Sequence, residues 1–363
     1  MRGFVVILAV VCCCLGCQRF TIRTQNRVAV DGPVETRLTG SVETRVVTDL
    51  PPVSTTAGPV RAIVVQMGAS ASASRVAIVD VDGLLLNSPF VGPLSVGENP
   101  VALFREKLDA IEADRNAVAV VLRINSPGGG VAACAAMRRD LKRFQERTKL
   151  PVVACLMDLG TGGAYHLASA ADQVVADPAT VTGGIGVLLN LYNLKELMAQ
   201  FNVASQLIKA GELVDIGSCG RPLKPAEKEL LQAMADEFHK QLQADIKKAR
   251  PKLDDAQETT FDGRIFTGTQ AVTRGLVDRT GDLDDAIRIA AQLGCPGATP
   301  IRPAVVLYRR TNDPATTVYA VTANIPLQGT GLLPSLPGFD RSKLPTFLSV
   351  WQPELTLEKL GGK

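Results

Sequence analysis

Short apolar runs in the middle of the chain, each followed by a glycine-rich turn, form its clearest pattern. Three such segments follow one another: AVAVVLRINSPGGG begins at Ala117, PVVACLMDLGTGGAYHLASAAD at Pro151 and QVVADPATVTGGIGV at Gln173. Apolar residues without polar alternation are typical of strands that are buried on both faces of a sheet. Residues Val131–Lys149 have helical spacing instead. The pattern predicts an α/β fold in which strand, glycine turn and helix are repeated.

The glycine turns are the expected location of a functional site. In such units ligands bind beyond the carboxyl ends of the strands, where glycines let backbone N–H groups approach a ligand and helix N-termini favour negative charge. We therefore expect the site at Pro127–Gly130 and Thr161–Ala164. The amides of Gly128, Gly129 and Gly130 are candidates for an oxyanion-type binding nest. The alternative is that these glycines only permit a tight turn between strand and helix.

Further elements extend the pattern on both sides. Strands are predicted at Val60–Met67, Arg75–Leu86, Ala204–Lys209 and Val305–Tyr308. Helices are predicted at Asn99–Asp114, Leu194–Gln200, Lys224–Lys248, Thr269–Arg274 and Leu283–Leu293. The longest of these helices has an apolar face made of Leu230, Leu231, Met234, Phe238 and Leu242. Because an apolar face is stable only when it is covered, we expect it to contact the core or a second copy in a homo-oligomer.

The first sixteen residues, MRGFVVILAVVCCCLG, have the composition of an export signal. A basic Arg2 precedes an apolar run that is short for a membrane span, and small residues precede Cys17. This arrangement is typical of a bacterial lipoprotein signal, in which Cys17 becomes the lipidated N-terminus. The alternatives are an uncleaved anchor or an ordinary secretory signal. We expect an exported, membrane-anchored lipoprotein of the bacterial cell envelope.

Composition divides the rest of the chain into a tether, a domain and an arm. Residues 17–74 are predicted to be a tether with a hairpin at Val34–Arg45 and a linker at Pro51–Gly58. Residues 75–308 form the predicted domain. Residues 309–363 are rich in Pro and Gly, which favours an extended arm, and this arm contains the only tryptophan, Trp351.

Charge and cysteine spacing exclude some classes of function. A net charge of +3 and an aromatic content of 4% provide neither a basic stripe nor a stacking platform, so we expect no nucleic-acid partner. The cysteines beyond the leader have no C-x-x-C spacing, so we expect neither a metal site nor a cofactor. Whether any two of them form a disulfide stays open. They are Cys134, Cys155, Cys219 and Cys295.

Three blocks of sequence resemble the signal peptide peptidase A (protease IV) family, which are serine proteases of the Clp/crotonase-type fold. INSPGGG resembles the family's INSPGG turn, and TGGAYHLASAADQVVADPATVTGGIGV resembles its ASGGYY…AAD…TGSIGV block. FDGRIFTGTQAVTRGLVDRTGDLDDAI resembles a third block, and the resemblance extends from about Arg75 to Ala291. It implies a repeated strand–glycine turn–helix core with a helical C-terminal part, peptides as partners, and a serine–lysine dyad as the catalytic apparatus.

Both dyad positions are substituted when the family's motifs are laid on this chain. The segment that ends at Asp172 places Gly162 at the nucleophile, and IKAGELVDIG places Val214 at the base lysine. Neither residue can attack a carbonyl or accept a proton. The fallback nucleophile is Thr161, but a shift of one residue near a helix N-terminus rotates a side chain by about 100°.

Other polar residues near the dyad positions are weaker candidates. Lys209 precedes Val214 by five residues, and a solvated lysine is the more plausible interpretation. Ser126 belongs to the first glycine turn, and Ser169 lies two helical turns beyond Gly162. The other candidates, His166 and His239, are the only histidines, and neither has a hydrolase-type setting.

Three functions remain open at this point. The sequence favours a lipid-anchored family member that has lost its dyad and binds peptides, or membrane-derived peptide segments, without cutting them. The alternative is an active serine-type endopeptidase that degrades signal peptides or membrane peptides with a differently placed nucleophile. An acyl-thioester enzyme of the related crotonase architecture lacks a candidate acid or base.

Overall fold

The computed structural model describes residues 58–68, 74–88, 98–254, 259–297, 303–311, 313, 315–320 and 347–351. All of them belong to one compact unit, Ser54–Lys363. The other unit, Met1–Val53, lies outside the described residues, and so do the predicted lipidation site Cys17 and the predicted hairpin at Val34–Arg45.

Strands and helices alternate through most of the described chain. The strands are β1 (Val60–Gln66), β2 (Arg75–Asp82), β3 (Ala117–Ser126), β4 (Gly128–Gly130), β5 (Val152–Thr161), β6 (Gln173–Ala176), β7 (Val181–Gly183), β8 (Ile265–Thr267), β9 (Arg279–Thr280), β10 (Ala304–Arg310) and β11 (Leu348–Val350). The helices are α1 (Pro100–Glu112), α2 (Val131–Thr148), α3 (Gly163–Ala168), α4 (Lys195–Gln200), α5 (Pro225–Ala249), α6 (Gly268–Thr273) and α7 (Leu283–Gly294).

A central sheet in the order β1-β10-β2-β3-β5-β6-β9 organises these elements. β10, β2, β3, β5, β6 and β9 run parallel, whereas β1 pairs antiparallel with β10 at one edge. Helices connect β2 to β3, β3 to β5 and β5 to β6, as parallel pairing requires. Two β–glycine turn–helix units, β3 to α2 and β5 to α3, therefore bring their turns to the same edge of the sheet.

Helices cover both faces of the sheet, which explains the absence of polar alternation in its strands. In β3, Val120, Leu122 and Ile124 face one cluster that includes Leu108 of α1 and Phe144 of α2. The residues between them face the second cluster. That second cluster is built on α7 and contains Ala119, Val121, Cys155, Ile287 and Ala290. The predicted α/β class and the strand–glycine turn–helix core are confirmed.

The helix start predicted at Asn99 is confirmed in detail. The Asn99 side chain accepts hydrogen bonds from the amides of Val101 and Ala102, and Pro100 occupies the first helical position. An asparagine N-cap satisfies amides that the first turn cannot pair, and proline in the first turn lacks the N–H that would otherwise be left over. Local sequence therefore fixes the start of α1.

One predicted strand is wrong. Residues Ala204–Lys209 form neither strand nor helix, and all six are exposed. The apolar pair Leu207 and Ile208 suggests a short strand, but no neighbouring strand pairs with this segment among the described residues. Strand formation depends on packing against neighbouring strands, so such a segment does not become a strand by itself.

The chain that follows β10 is held by buried arginines. Arg123 of β3 donates hydrogen bonds to the carbonyls of Val318 and Ala320, and Arg309 donates to the Ala320 carbonyl. Arg309 also lies 3.2 Å from the Asp313 carboxylate. Hydrogen bonds from charged donors are stronger than neutral ones. The beginning of the predicted arm is therefore fixed to the carboxyl edge of β3 and β10.

Candidate functional site

The turn after β3 is shaped by a serine and three glycines. The Ser126 hydroxyl donates to the Gly83 carbonyl at 2.6 Å and accepts from the Gly128 amide at 3.1 Å. A Cβ on Gly129 would lie 2.0 Å from the Leu85 carbonyl oxygen, so only glycine permits this approach. Ser126 thus holds the turn, and its hydroxyl is not directed at a substrate.

The three predicted nest amides do not act together. The Gly128 amide donates to Ser126, and the Gly130 amide donates to the Leu85 carbonyl at 2.9 Å. Gly129 is the member of β4 that pairs in register with Ser349 of β11. Two of the three predicted nest donors, the Gly128 and Gly130 amides, therefore already have partners within the chain, and Gly129 lies opposite Ser349.

Gly162 lies where β5 passes into α3. Its backbone has φ 54° and ψ −123°, a conformation that residues with a side chain rarely adopt. Its amide donates to the Gly183 carbonyl at 2.8 Å, and its carbonyl accepts from the His166 amide at 3.0 Å. The sharp strand-to-helix turn expected at Thr161–Ala164 is present, and it brings Gly162 next to β4.

Thr161, the fallback nucleophile, is fully buried in this turn. Its hydroxyl donates to the Pro127 carbonyl at 3.1 Å and so joins the two glycine turns. The Ser169 hydroxyl likewise donates to the His166 carbonyl at 2.8 Å. Neither hydroxyl is hydrogen-bonded to a basic side chain that could remove its proton, among the partners that the described residues provide.

The other dyad position has different surroundings. Val214 lies in a turn, and 67% of its surface is exposed. Lys209 donates to the Asp215 carboxylate at 2.5 Å and to the Glu212 carbonyl at 2.7 Å. The hydrogen bonds that Asp215 accepts from Arg221 and Lys209 hold the pKa of that carboxyl well below its usual range. The structure groups Thr161 and Gly162 with Gly128–Gly130, whereas Val214 and Lys209 belong to an exposed turn.

The two histidines have structural partners. The Nε2 of His166 lies 3.0 Å from the Asp245 carboxylate of α5. Burial, together with the positive charge of Arg138, lowers the pKa of His166 to about 4, although Asp245 acts in the opposite direction. His166 is therefore neutral at ordinary pH and ties α3 to α5. His239 contacts Gln243 on the same helix.

The chain's own C-terminal arm lies across the site. β11 pairs antiparallel with β4 on one side, and Leu348 exchanges two backbone hydrogen bonds with Leu188 on the other, at 2.8 and 3.0 Å. Two more backbone hydrogen bonds extend the pairing with the β4 turn. The Val131 amide donates to the Phe347 carbonyl, and the Trp351 amide donates to the Pro127 carbonyl. Residues Phe347–Trp351 thus fill a strand-shaped groove between β4 and Leu188, which we call the peptide groove.

Ser349 places its carbonyl at the centre of the glycine turns. The oxygen lies 2.2 Å from the position that a Cβ on Gly128 would take and 2.6 Å from the corresponding position on Gly162. The carbonyl carbon lies 2.8 Å from that same Gly162 position. A side chain at residue 162 would therefore meet the backbone carbonyl of the bound strand. A peptide held in this register presents one carbonyl to the residue that the resemblance identifies as the nucleophile position.

The four cysteines beyond the predicted leader are unpaired and lie within the described residues. Cys134, Cys155, Cys219 and Cys295 are free thiols, and burial raises the pKa of Cys134 and of Cys155 to about 12. In the part of the chain that the structure describes, no group of His, Cys, Asp and Glu has the geometry to hold a metal ion. No helix within the described ranges is both long and apolar enough to cross a membrane.

The central part of the chain is similar to known proteases. Residues 144–294 match the model of Peptidase family S49. The chloroplastic serine protease SPPA of Arabidopsis thaliana is 33% identical over 229 residues, which are 62% of this chain and 33% of that protein. Protease 4 of Salmonella typhi is 29% identical over 218 residues, 60% of this chain and 34% of that protein. A protein of Synechocystis named as a protease is 37% identical over 175 residues, 48% of this chain and 62% of that protein.

A solved structure is also similar. It is a membrane-bound stomatin-specific protease in complex with a substrate peptide, with 14% identity and a TM-score of 0.39, over 65% of this chain and 91% of that chain.

The chain spans between a third and just under two thirds of the length of the three sequence relatives above. Residues 144–294 thus match peptidase family S49, and the resemblance to the signal peptide peptidase A family is confirmed.

The sequence alone did not reveal the groove's other side or its occupant. Leu85, Leu188 and Phe347–Trp351 approach the glycine turns from distant parts of the chain. Only the short apolar run FLSVW within a Pro- and Gly-rich arm signals a segment that is suited to a strand.

Proposed function

We propose that this protein is an exported, lipid-anchored and non-catalytic member of the signal peptide peptidase A family, which binds extended peptides in the peptide groove. β4 and Leu188 offer backbone donors and acceptors on both sides of a bound strand, which is how peptides are recognised by strand addition. Cys17 is the proposed site of the lipid. Mass spectrometry of the membrane-purified protein should show a lipidated Cys17 as its first residue.

The non-catalytic part of the proposal rests on one observation: no candidate nucleophile is both next to the Ser349 carbonyl and free to attack it. Gly162 has no atom that can attack it, and the hydroxyls of Ser126, Thr161 and Ser169 all donate to backbone carbonyls. A serine or threonine becomes a nucleophile only when a base removes its proton. The exposed position of Val214 supports the same proposal, because even a lysine there would lack the burial that lowers a lysine pKa.

A fluorophosphonate reagent tests this proposal against the rival, an active serine-type endopeptidase. We expect no covalent adduct on the full chain, and we expect the same result for Gly162→Ser, because the new hydroxyl would have no base. An adduct on Thr161, Ser126 or Ser169, together with loss of peptide cleavage when that residue is changed to alanine, would establish the endopeptidase instead.

A further inference from the structure

The segment in the peptide groove is held as a bound peptide would be held. Its backbone bonds run to two separate parts of the chain, Leu188 on one side and the β4 turn on the other. Ser349 is 2% exposed, and Phe347 and Val350 are each 7% exposed. A three-residue strand enclosed on both sides and buried to this degree occupies the space that any other extended peptide would need.

Side chains of the segment alternate between two sides of the groove. Leu348 and Val350 pack against Leu84 and Leu86. Phe347 lies on the other side, where its ring meets that of Phe238 of α5 edge to face at 5.1 Å between centroids. Such alternation is expected for an extended strand, and an edge-to-face ring pair adds to the apolar contact. The groove therefore accepts apolar side chains on both sides of the bound strand.

The central residue of the segment does not use its hydroxyl. The Ser349 Oγ is buried and has no hydrogen-bond partner among the described residues. A buried hydroxyl without a partner lowers the stability of the bound state, because it has lost its hydrogen bonds to water. The segment consequently fits the groove less well than an otherwise identical segment with alanine at position 349.

The two ends of the described arm are held differently. Residues up to Ala320 are attached through the buried guanidinium groups of Arg123 and Arg309. By contrast, backbone hydrogen bonds and apolar packing hold Phe347–Trp351. Residues 321–346 join the two parts, so the segment stays at high effective concentration near the groove even when it is not bound. Its departure would leave the attachment at Ala320 and the central sheet intact.

We propose that residues Phe347–Trp351 are an internal competitor, which occupies the peptide groove and must leave before an external peptide can bind. This inference rests on the proposed peptide-binding function. When only a fraction of the molecules has an open groove, the apparent dissociation constant for an external peptide equals the intrinsic constant divided by that fraction. Variants that weaken the segment should therefore tighten binding of an external peptide, and variants that strengthen it should do the opposite.

The test uses the full chain and a probe peptide copied from the segment, fluorescein-TFLSVFQ-amide. The phenylalanine in place of tryptophan leaves Trp351 as the only tryptophan in the sample. Leu348→Pro removes the amide that donates to the Leu188 carbonyl, and Leu348→Ala is the matched control that keeps this amide. Ser349→Ala removes the unpaired hydroxyl. Fluorescence anisotropy gives the affinity for the probe, and acrylamide quenching of Trp351 reports separately whether the segment is docked.

We expect the probe to bind Leu348→Pro at least about tenfold more tightly than the unchanged chain, with Leu348→Ala between them and Ser349→Ala the weakest binder. Quenching of Trp351 should increase in the same order as the affinity. If Trp351 is released in Leu348→Pro but the probe binds that variant and the unchanged chain equally, the segment is not a competitor and the inference is overturned. If Trp351 is released and the probe binds neither, the groove is not a peptide site, which overturns the proposed function as well.

Discussion

Gly162 determines what can occupy the end of β5, because its backbone conformation and its neighbours both disfavour a side chain. Its φ of 54° is in the region that glycine adopts most readily. The Ser349 carbonyl carbon and oxygen lie within 3 Å of the position that a Cβ would take. At the residue scale, this one glycine provides no side chain at the end of β5 and leaves room for the segment Phe347–Trp351.

Gly162→Ala should therefore destabilise the chain and loosen the segment. We expect a loss of about 1–3 kcal/mol in the free energy of unfolding from the unfavourable backbone conformation, together with greater acrylamide quenching of Trp351. Urea unfolding and quenching measure the two effects. Gly186→Ala is the control, because a Cβ there would meet only the Gly263 Cα at 3.6 Å. Equal shielding of Trp351 in the unchanged chain and in Gly162→Ala would contradict the contact with Ser349.

His166 should make the stability of the fold depend on pH. Its pKa is lowered to about 4 in the folded chain, mainly by burial and then by Arg138. The ordinary pKa of histidine is about 6.5, so between these two values the unfolded chain binds a proton that the folded chain does not. The contribution is fully present above about pH 6.5 and is lost as the pH falls toward 4, up to about 3 kcal/mol.

Urea unfolding of the unchanged chain and of His166→Gln between pH 4 and pH 7 measures this contribution. The difference between the two proteins should change with pH as described, whereas His239→Gln should follow the unchanged chain. A difference that stays constant over this range would show that His166 is not buried in its neutral form.

The start of α7 provides a test at the scale of a single element. Asp282 is the N-cap, and its carboxylate accepts a hydrogen bond from the Asp285 amide at 2.8 Å. α7 covers one face of β3 and β5 with Ile287 and Ala290. Asp282→Ala should lower the free energy of unfolding by about 1 kcal/mol, the usual contribution of such a cap. Asp284→Ala changes an exposed aspartate in the same turn and should have a smaller effect; equal losses would argue against capping.

Elements with local signals were predictable from sequence, whereas contacts between distant segments were not. The Asn99 cap and the Gly-rich turns after β3 and β5 require particular residues at particular positions, and the sequence shows them directly. Ala204–Lys209 contains apolar residues that suit a strand, but strand formation depends on a partner that the sequence does not identify. β11 was not predicted, because a strand of three residues is too short to show a periodic pattern. It forms because it pairs with β4, which lies more than two hundred residues earlier in the chain.

The candidate site was likewise predictable only where the signal is local in the sequence. The strand–glycine turn–helix pattern predicted one site at Pro127–Gly130 and Thr161–Ala164, and the structure brings these two turns together. The Gly128 amide donates to the Ser126 hydroxyl and the Gly130 amide donates to the Leu85 carbonyl, and no sequence motif predicts these bonds. The expected three-donor nest therefore reduces to Gly129, which pairs with Ser349.

At the scale of the whole molecule, exposed apolar side chains favour self-association. They cluster in the sequence between α4 and α5, with Met234 and Leu230 exposed on α5 itself. Large apolar groups are unfavourable in water, and we expect a second copy of the chain to bury them. The exposed large apolar residues between α4 and α5 are Phe201, Val203, Leu207, Ile208, Leu213, Val214 and Leu223.

Light scattering on the chain without residues 1–16 should therefore show a homo-oligomer at micromolar concentration. Phe201→Asp places a charge among these residues and should shift the mass toward the monomer. Met67→Asp changes a similarly exposed residue just after β1 and serves as the control. A monomer for the unchanged chain would reject the prediction.

Binding without cleavage is the central claim, and one sample can test both halves of it. The Leu348→Pro chain is incubated with fluorescein-TFLSVFQ-amide, and anisotropy and peptide mass are followed together for a day. We predict that anisotropy rises to a stable plateau while the peptide mass stays unchanged, because Gly162 offers no nucleophile to the carbonyl in the groove. An anisotropy that rises and then decays as fragments cut after the serine accumulate would contradict the account.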